Sequence, residues 1–291
     1  MSAEELIKQA EKKLNAQSGF FGSIFGSSTQ QRCEEAADLY VEAANQYKLS
    51  KKLRQAGQCF EKAAEAHIKA DSKDEAANIL VDSFKAYKSE DPASAARVLE
   101  QAIVFFTTRG QFRRGANFKM DLAQLYEEEL VDLNKALGAY EDAGDWFESD
   151  GASALSSKAF LKCGDLSALQ GNYKKATEIY QKVVKNALGN NMSKWSLKEY
   201  FFKIVLCFLA LDDQVAADKY LRESVELDSS FKTTREFKLL TEVLESVREG
   251  DAEKMSEALY EFDQFSRLDK WKTTILLKIK DSMDAAEEDL L

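Results

Sequence analysis

Few residues of this chain have the types and spacing that catalysis requires. The single histidine, His67, would have to serve any Ser-His or Cys-His nucleophilic site. It stands at a position that a repeated pattern assigns to large side chains, which favours a place in the core or in a groove between helices. Gly19, Gly22 and Gly26 resemble a phosphate-binding loop, but the lysine of that motif is missing and no strand precedes them. We therefore expect no catalytic residue and no enzyme activity.

The cysteines do not have the spacing of a metal site either. Cys33, Cys59, Cys163 and Cys207 are far apart in the chain, and each falls within a helical pattern. Zinc sites need a close Cys/His cluster, and the sequence contains none. We interpret the four thiols as small apolar residues in a reducing compartment, and we expect neither a metal nor a cofactor.

Charge is distributed unevenly along the chain. The formal net charge of −10 disfavours non-specific attraction to nucleic acid. The middle of the chain is nevertheless basic, with Arg109, Arg113, Arg114, Lys119, Lys158, Lys162, Lys174 and Lys175. Residues 251–291 hold eleven Asp or Glu against six Lys or Arg. Solvated helix faces and a frayed acidic tail would explain both clusters; the alternative is an acidic partner at the middle and a basic partner at the C-terminal end.

The elements that position these residues follow from one repeated spacing, small-x3-large-x2-small-x3-large. It begins with Ala36, Tyr40, Ala43 and Tyr47 and returns at intervals of about twenty residues. Its further copies start at Ala56, Ala76, Ala95, Ala136, Ser156 and Ala176. Steps of four, three and four keep these side chains on one face of a helix, and small residues let a neighbouring helix approach closely. Each copy therefore predicts one helix, and two copies predict an antiparallel hairpin of about forty residues.

This pattern predicts an all-α fold. The hairpins resemble tetratricopeptide repeats with lengthened helices, which stack into a right-handed solenoid. The period weakens near Gly189, Asn190 and Asn191, which indicate a helix end and a loop. We therefore predict a solenoid over residues 1–190 and a C-terminal helical bundle over residues 191–291. No apolar stretch reaches the length of a membrane span, and the N-terminus lacks the pattern of a signal peptide, so we expect a cytoplasmic protein.

A separate apolar group lies near the N-terminus. Phe20, Phe21, Ile24 and Phe25 stand among glycine, serine and other small or polar residues. They could fold back onto the first hairpin as a hydrophobic staple. Their flexible flanks also fit an exposed hairpin tip over residues 18–29.

Several motifs together resemble those of the soluble NSF attachment proteins of the α-SNAP type, over essentially the whole chain. They are "SGFFGSIFG", "RGQFRRGANFKMDLAQLYE", "ELVDLNKALGAYEDAGDWF", "SSKAFLKCGDLSA", "SLKEYFFK", "SRLDKWKTTILLKIK" and the terminal "EEDLL". The resemblance implies a non-catalytic adaptor. Several copies would wrap a SNARE four-helix bundle, and their C-terminal ends would recruit and stimulate the hexameric ATPase NSF, which disassembles the bundle during vesicle trafficking.

The resemblance also implies roles for particular residues of the basic region. Lys158 falls on a SNARE-contact lysine of the family, and Lys162, Arg113, Arg114 and Lys119 lie in the same region. Asn117 stands where some relatives carry lysine, so the charge is redistributed around it.

The resemblance also implies roles for residues at the two ends of the chain. The penultimate leucine that the family needs for NSF stimulation corresponds to Leu290, beside Glu287, Glu288, Asp289 and Leu291. Phe20 and Phe21, with Ile24 and Phe25 as neighbours, correspond to a loop that touches the membrane weakly. This implies a protein peripherally associated with the cytosolic face of endomembranes.

Two other functions remain open from the residues alone. One is a generic tetratricopeptide-like trafficking scaffold that binds extended peptides. The other is a protein whose main activity is binding to a membrane surface.

Overall fold

The computed structural model describes residues 1–15, 28–189 and 195–288, with side chains up to residue 285. Within these ranges the regular structure is helical, without strands, and includes a short 3-10 helix, Ser229–Thr233. The α-helices are α1 (Ala3–Asn15), α2 (Thr29–Leu49), α3 (Leu53–Lys69), α4 (Lys73–Tyr87), α5 (Pro92–Thr108), α6 (Phe112–Glu128), α7 (Leu133–Ser149), α8 (Ser153–Leu169), α9 (Tyr173–Leu188), α10 (Leu197–Ala210), α11 (Gln214–Leu227), α12 (Arg235–Glu249), α13 (Ala252–Phe265) and α14 (Lys270–Glu288). The predicted all-α class with tetratricopeptide-like hairpins is confirmed.

The chain divides into two units, Met1–Gly151 and Ala152–Leu291. In the N-terminal unit, α1 to α7, each helix packs against the next one along the chain. In the C-terminal unit, α10 is central and contacts α9, α11, α12 and α14. Side chains of α8 and α9, such as Ala168 and Tyr180, share one apolar core with those of α10 to α14. The boundary at residue 190, drawn from repeat character, stays a prediction.

The small residues of the repeat are fully buried where consecutive helices meet. Ala36, Ala43, Ala56 and Ala63 have no exposed surface, as expected for positions that set the distance between two helices. At two places glycine leaves space for a side chain of the neighbouring helix. A Cβ atom added at Gly57 would lie 2.7 Å from the ring of Tyr87, and one at Gly164 would lie 2.6 Å from the ring of Tyr180. In both pairs the absence of a side chain makes room for an aromatic ring from the next helix.

The period of about twenty residues results from a helix of about 17 residues and a three-residue turn. The middle residue of six such turns adopts the left-handed conformation: Lys51, Asp71, Gly110, Gly151, Gly171 and Asp212. Only glycine adopts this conformation without a steric cost, because other residues bring Cβ close to the backbone carbonyl. The turns at Lys51, Asp71 and Asp212 are therefore strained relative to those with glycine.

The single histidine and the cysteines lie inside the protein. His67 is 9% exposed in the last turn of α3, which confirms a place in the core. All four cysteines are buried. Within the described ranges, no helix combines the length and apolar character needed to cross a bilayer.

We expect Lys51→Gly to raise the free energy of unfolding by about 0.5–1 kcal/mol, because it removes the left-handed strain at φ 57°. Glycine has greater conformational freedom in the unfolded chain, and this offsets only part of the gain. Gly110→Lys is the matched reverse change: Gly110 has φ 74°, and a Cβ atom there would meet nothing within 4 Å. Gly110→Lys should lower the free energy of unfolding by a similar amount. Thermal unfolding of the full chain measures both; a lower midpoint for Lys51→Gly would contradict the expectation.

Candidate partner-binding surfaces

Four of the predicted contact residues lie on α6 of the N-terminal unit. Arg113, Arg114 and Asn117 are exposed, whereas Lys119 is half-buried. The Asn117 amide donates a hydrogen bond to the Arg113 carbonyl at 3.0 Å. The Arg113 guanidinium lies 3.5 Å from a carboxylate oxygen of Asp150, so its charge is partly compensated within the unit.

Arg114 is held in a fixed position. Its Nη2 donates to Asn78 Oδ1 at 2.6 Å, and its guanidinium lies 4.1 Å from the ring centroid of Phe106. Phe118 stacks on Phe106 with ring centroids 5.4 Å apart, and the guanidinium also lies 5.9 Å from the ring centroid of Phe118. A guanidinium gains from the negative face of an aromatic ring, and no carboxylate among the described residues takes part in the contact. Arg114 therefore presents a positive charge whose position is set by packing.

Lys119 already has a carboxylate partner. Its Nζ lies 2.7 Å from Asp142 Oδ2 and 5.5 Å from the ring centroid of Trp146, and its side chain is 21% exposed. Trp146 is fixed in turn by an edge-to-face contact with Phe112. An acidic partner that used Lys119 would have to share it with Asp142.

The other two predicted contact residues lie on α8 of the C-terminal unit. Lys158 is exposed, and in the part of the chain that the structure describes it forms no ion pair or hydrogen bond. Lys162 follows one turn later on the same side of the helix and is half-buried. On α9, Lys182 Nζ lies 3.9 Å from the ring centroid of Phe160 on α8, which extends the basic surface of this hairpin. Lys158 is thus the most available charge among the predicted contacts.

The predicted contacts at the two ends of the chain lie outside what the structure describes. Phe20, Phe21, Ile24 and Phe25 belong to the undescribed range 16–27. Asp289, Leu290 and Leu291 follow the last described residue. Glu287 and Glu288 lie in α14, but their side chains are not described. The membrane and NSF assignments therefore stay predictions.

The C-terminal unit contains a partly buried polar cluster that was not expected from the sequence. Asp165, Lys203 and Trp271 meet there from three different helices. The only local signal is Lys203 itself, a lysine inside the apolar run of α10. Elsewhere in the described ranges, no three His, Cys, Asp or Glu side chains are grouped so that they could hold a metal ion.

Comparison with known proteins gives the family. The family model "Soluble NSF attachment protein, SNAP" matches residues 1–284. The vesicular-fusion protein SEC17 of Komagataella phaffii is 49% identical, over 99% of both chains. The α-soluble NSF attachment proteins of Saccharomyces cerevisiae and Homo sapiens are 49% and 38% identical, over 99% of this chain and 98% and 97% of theirs. The resemblance inferred from the motifs is confirmed, and the chain belongs to the soluble NSF attachment protein family.

Proposed function

We propose that this protein is a non-catalytic adaptor that binds assembled SNARE complexes and recruits NSF, whose ATP hydrolysis then disassembles them. Family membership along the whole chain supports an attachment role in vesicle fusion. The observation that carries the SNARE-binding part is the exposed Lys158, which has no ion pair with any described residue, with Lys162 one turn away on α8. These two lysines offer positive charge to an acidic helical bundle.

The binding should be distributed rather than concentrated in one residue. An exposed ion pair contributes roughly 0–1 kcal/mol, so no single lysine can hold a partner. Arg113 and Lys119 should contribute less to SNARE binding than their formal charge suggests, because Asp150 and Asp142 already pair with them. Several copies on one SNARE complex would add their weak contacts and raise the overall affinity.

We expect the double variant Lys158→Glu, Lys162→Glu to bind a SNARE bundle without transmembrane anchors roughly tenfold more weakly, because it replaces attraction by repulsion. Lys8→Glu, Lys12→Glu is a matched control, since these two exposed lysines have the same spacing on α1. Titration at one moderate salt concentration measures both. Equal binding by the wild type and the α8 variant would show that this surface is not the SNARE contact.

At the C-terminal end, we propose that Leu290 inserts into an apolar site on NSF while Glu287, Glu288 and Asp289 favour encounter with basic residues. Leucine burial slows dissociation, and charge accelerates association.

Leu290→Ala should therefore reduce SNARE-dependent ATP hydrolysis by NSF and leave SNARE binding intact. Leu277→Ala, at an exposed leucine earlier on α14, is the control and should change neither quantity. NSF ATPase stimulation and SNARE binding are measured in parallel for both variants and the wild type. A loss of SNARE binding equal to the loss of ATPase stimulation would point to damaged folding instead.

At the N-terminal end, we propose that Phe20 and Phe21, with Ile24 and Phe25, insert weakly into the membrane that carries the SNAREs. Each buried side chain offers roughly 1.5–3 kcal/mol, part of which is lost to ordering and incomplete insertion.

The variant Phe20→Ser, Phe21→Ser should lose disassembly activity on SNAREs anchored in liposomes and keep it on SNAREs without anchors. Phe265→Ser removes an exposed phenylalanine from α13 and serves as control. The assay contains purified SNAREs, NSF and ATP, and it also separates this adaptor from a scaffold that binds only extended peptides. Equal losses on both substrates would exclude the membrane role.

A further inference from the structure

Asp165 on α8 is the centre of the partly buried cluster, with its side chain 28% exposed, and side chains from three other helices bond to it. The Tyr180 hydroxyl on α9 donates to Asp165 Oδ1 at 2.6 Å, and Lys203 Nζ on α10 donates to the same oxygen. Trp271 on α14 donates from Nε1 to the Asp165 backbone carbonyl at 3.2 Å. One residue therefore joins α8, α9, α10 and α14.

The groups of this cluster depend on one another. The Lys203 side chain is 11% exposed, and its Nζ lies 4.6 Å from the ring centroid of Trp271 and 5.7 Å from that of Tyr180. The two rings meet edge to face at 6.2 Å. Burial and the neighbouring carboxylate raise the pKa of Tyr180 well above its usual range, so the hydroxyl remains a donor. Because a buried ammonium is costly without its partner, the loss of one member weakens the contacts of the others.

A second ion pair fixes the same end of α14. Lys272, next to Trp271, lies 2.9 Å from Glu199 Oε2 on α10 and 5.4 Å from the ring centroid of Phe202. Its side chain is 12% exposed. The first turn of α14 is thus attached to α8 and α10 by polar contacts, and Ile275 and Ile279 continue its buried side.

The cluster lies close to the lysines of the proposed SNARE surface. Lys158, Lys162 and Asp165 follow at i, i+4 and i+7 and therefore lie on one side of α8. The rise of an α-helix places Asp165 about 10 Å along the axis from Lys158. On the other side of the cluster, α14 leads directly to the proposed NSF-activating tail.

We propose that Asp165, Tyr180, Lys203 and Trp271 are positioning residues for SNARE disassembly: they fix α14 to α8, so that force exerted by NSF on the C-terminal end reaches the Lys158 surface. This inference rests on the proposed adaptor function. SNARE affinity depends on the surface lysines and ATPase stimulation on the tail. The number of complexes disassembled for each ATP hydrolysed depends in addition on the connection between them.

The test compares Lys203→Met with Lys198→Met. Lys198 is on the same helix and forms an exposed ion pair with Glu236 at 2.7 Å, so the control removes an ion pair without touching α8 or α14. Lys203→Met should accelerate hydrogen exchange of the α14 amides by roughly 100-fold, since it leaves Asp165 without its cation. SNARE binding and ATPase stimulation should stay within about twofold of wild type, while complexes disassembled per ATP fall roughly tenfold. Lys198→Met should change none of these.

Two further variants keep the test decisive if Lys203→Met unfolds. Trp271→Phe keeps an aromatic ring but removes the indole N–H and part of the ring volume, so it should lower disassembly per ATP with unchanged SNARE binding. Lys203→Arg keeps the cation and should restore much of the coupling. Wild-type disassembly per ATP in Trp271→Phe, or parallel loss of binding, ATPase stimulation and thermal stability in all cluster variants, would overturn the inference. Wild-type protein that neither binds SNAREs nor stimulates NSF would instead refute the proposed function on which it rests.

Discussion

Close approach of consecutive helices is the constraint on which the rest of the structure depends. An isolated helix of about 17 residues is only marginally stable in water, so each helix here needs its neighbours. Fully buried alanines such as Ala56 and Ala63 provide the contact, and Gly57 and Gly164 leave the space that the rings of Tyr87 and Tyr180 occupy. The same contact recurs at nearly constant spacing because each helix and its turn have nearly constant length.

Packing also decides which charges are available to a partner. Arg114 lies against Phe106 and is fixed, and Lys119 is shared with Asp142. Lys158 has an equal formal charge but projects from α8 without such a contact in the described structure. A chain with a net charge of −10 can therefore carry exposed positive charge at Lys158 while other cations, such as Arg113 and Lys119, pair with carboxylates of the chain itself.

The C-terminal unit combines a large apolar core with a few buried polar contacts. The apolar side chains of α10 supply burial energy but little directional preference. The bonds from Tyr180, Lys203 and Trp271 to Asp165 are directional, and they fix how α8, α9 and α14 are arranged around α10. Buried polar contacts of this kind specify an arrangement even where their net contribution to stability is small.

The sequence alone determined the helical class, the period, the core face of the helices that carry the repeat, and the family, because these depend on spacings within one or two helical turns and on ordered motifs. It did not determine which cations are already paired. Arg114 bonds to a residue 36 positions away, Lys203 to one 38 positions away and Trp271 to one 106 positions away. No local spacing encodes such pairs, since they form only when separate helices pack. For the same reason the Asp165 cluster and the division after Gly151 became visible only in the tertiary structure.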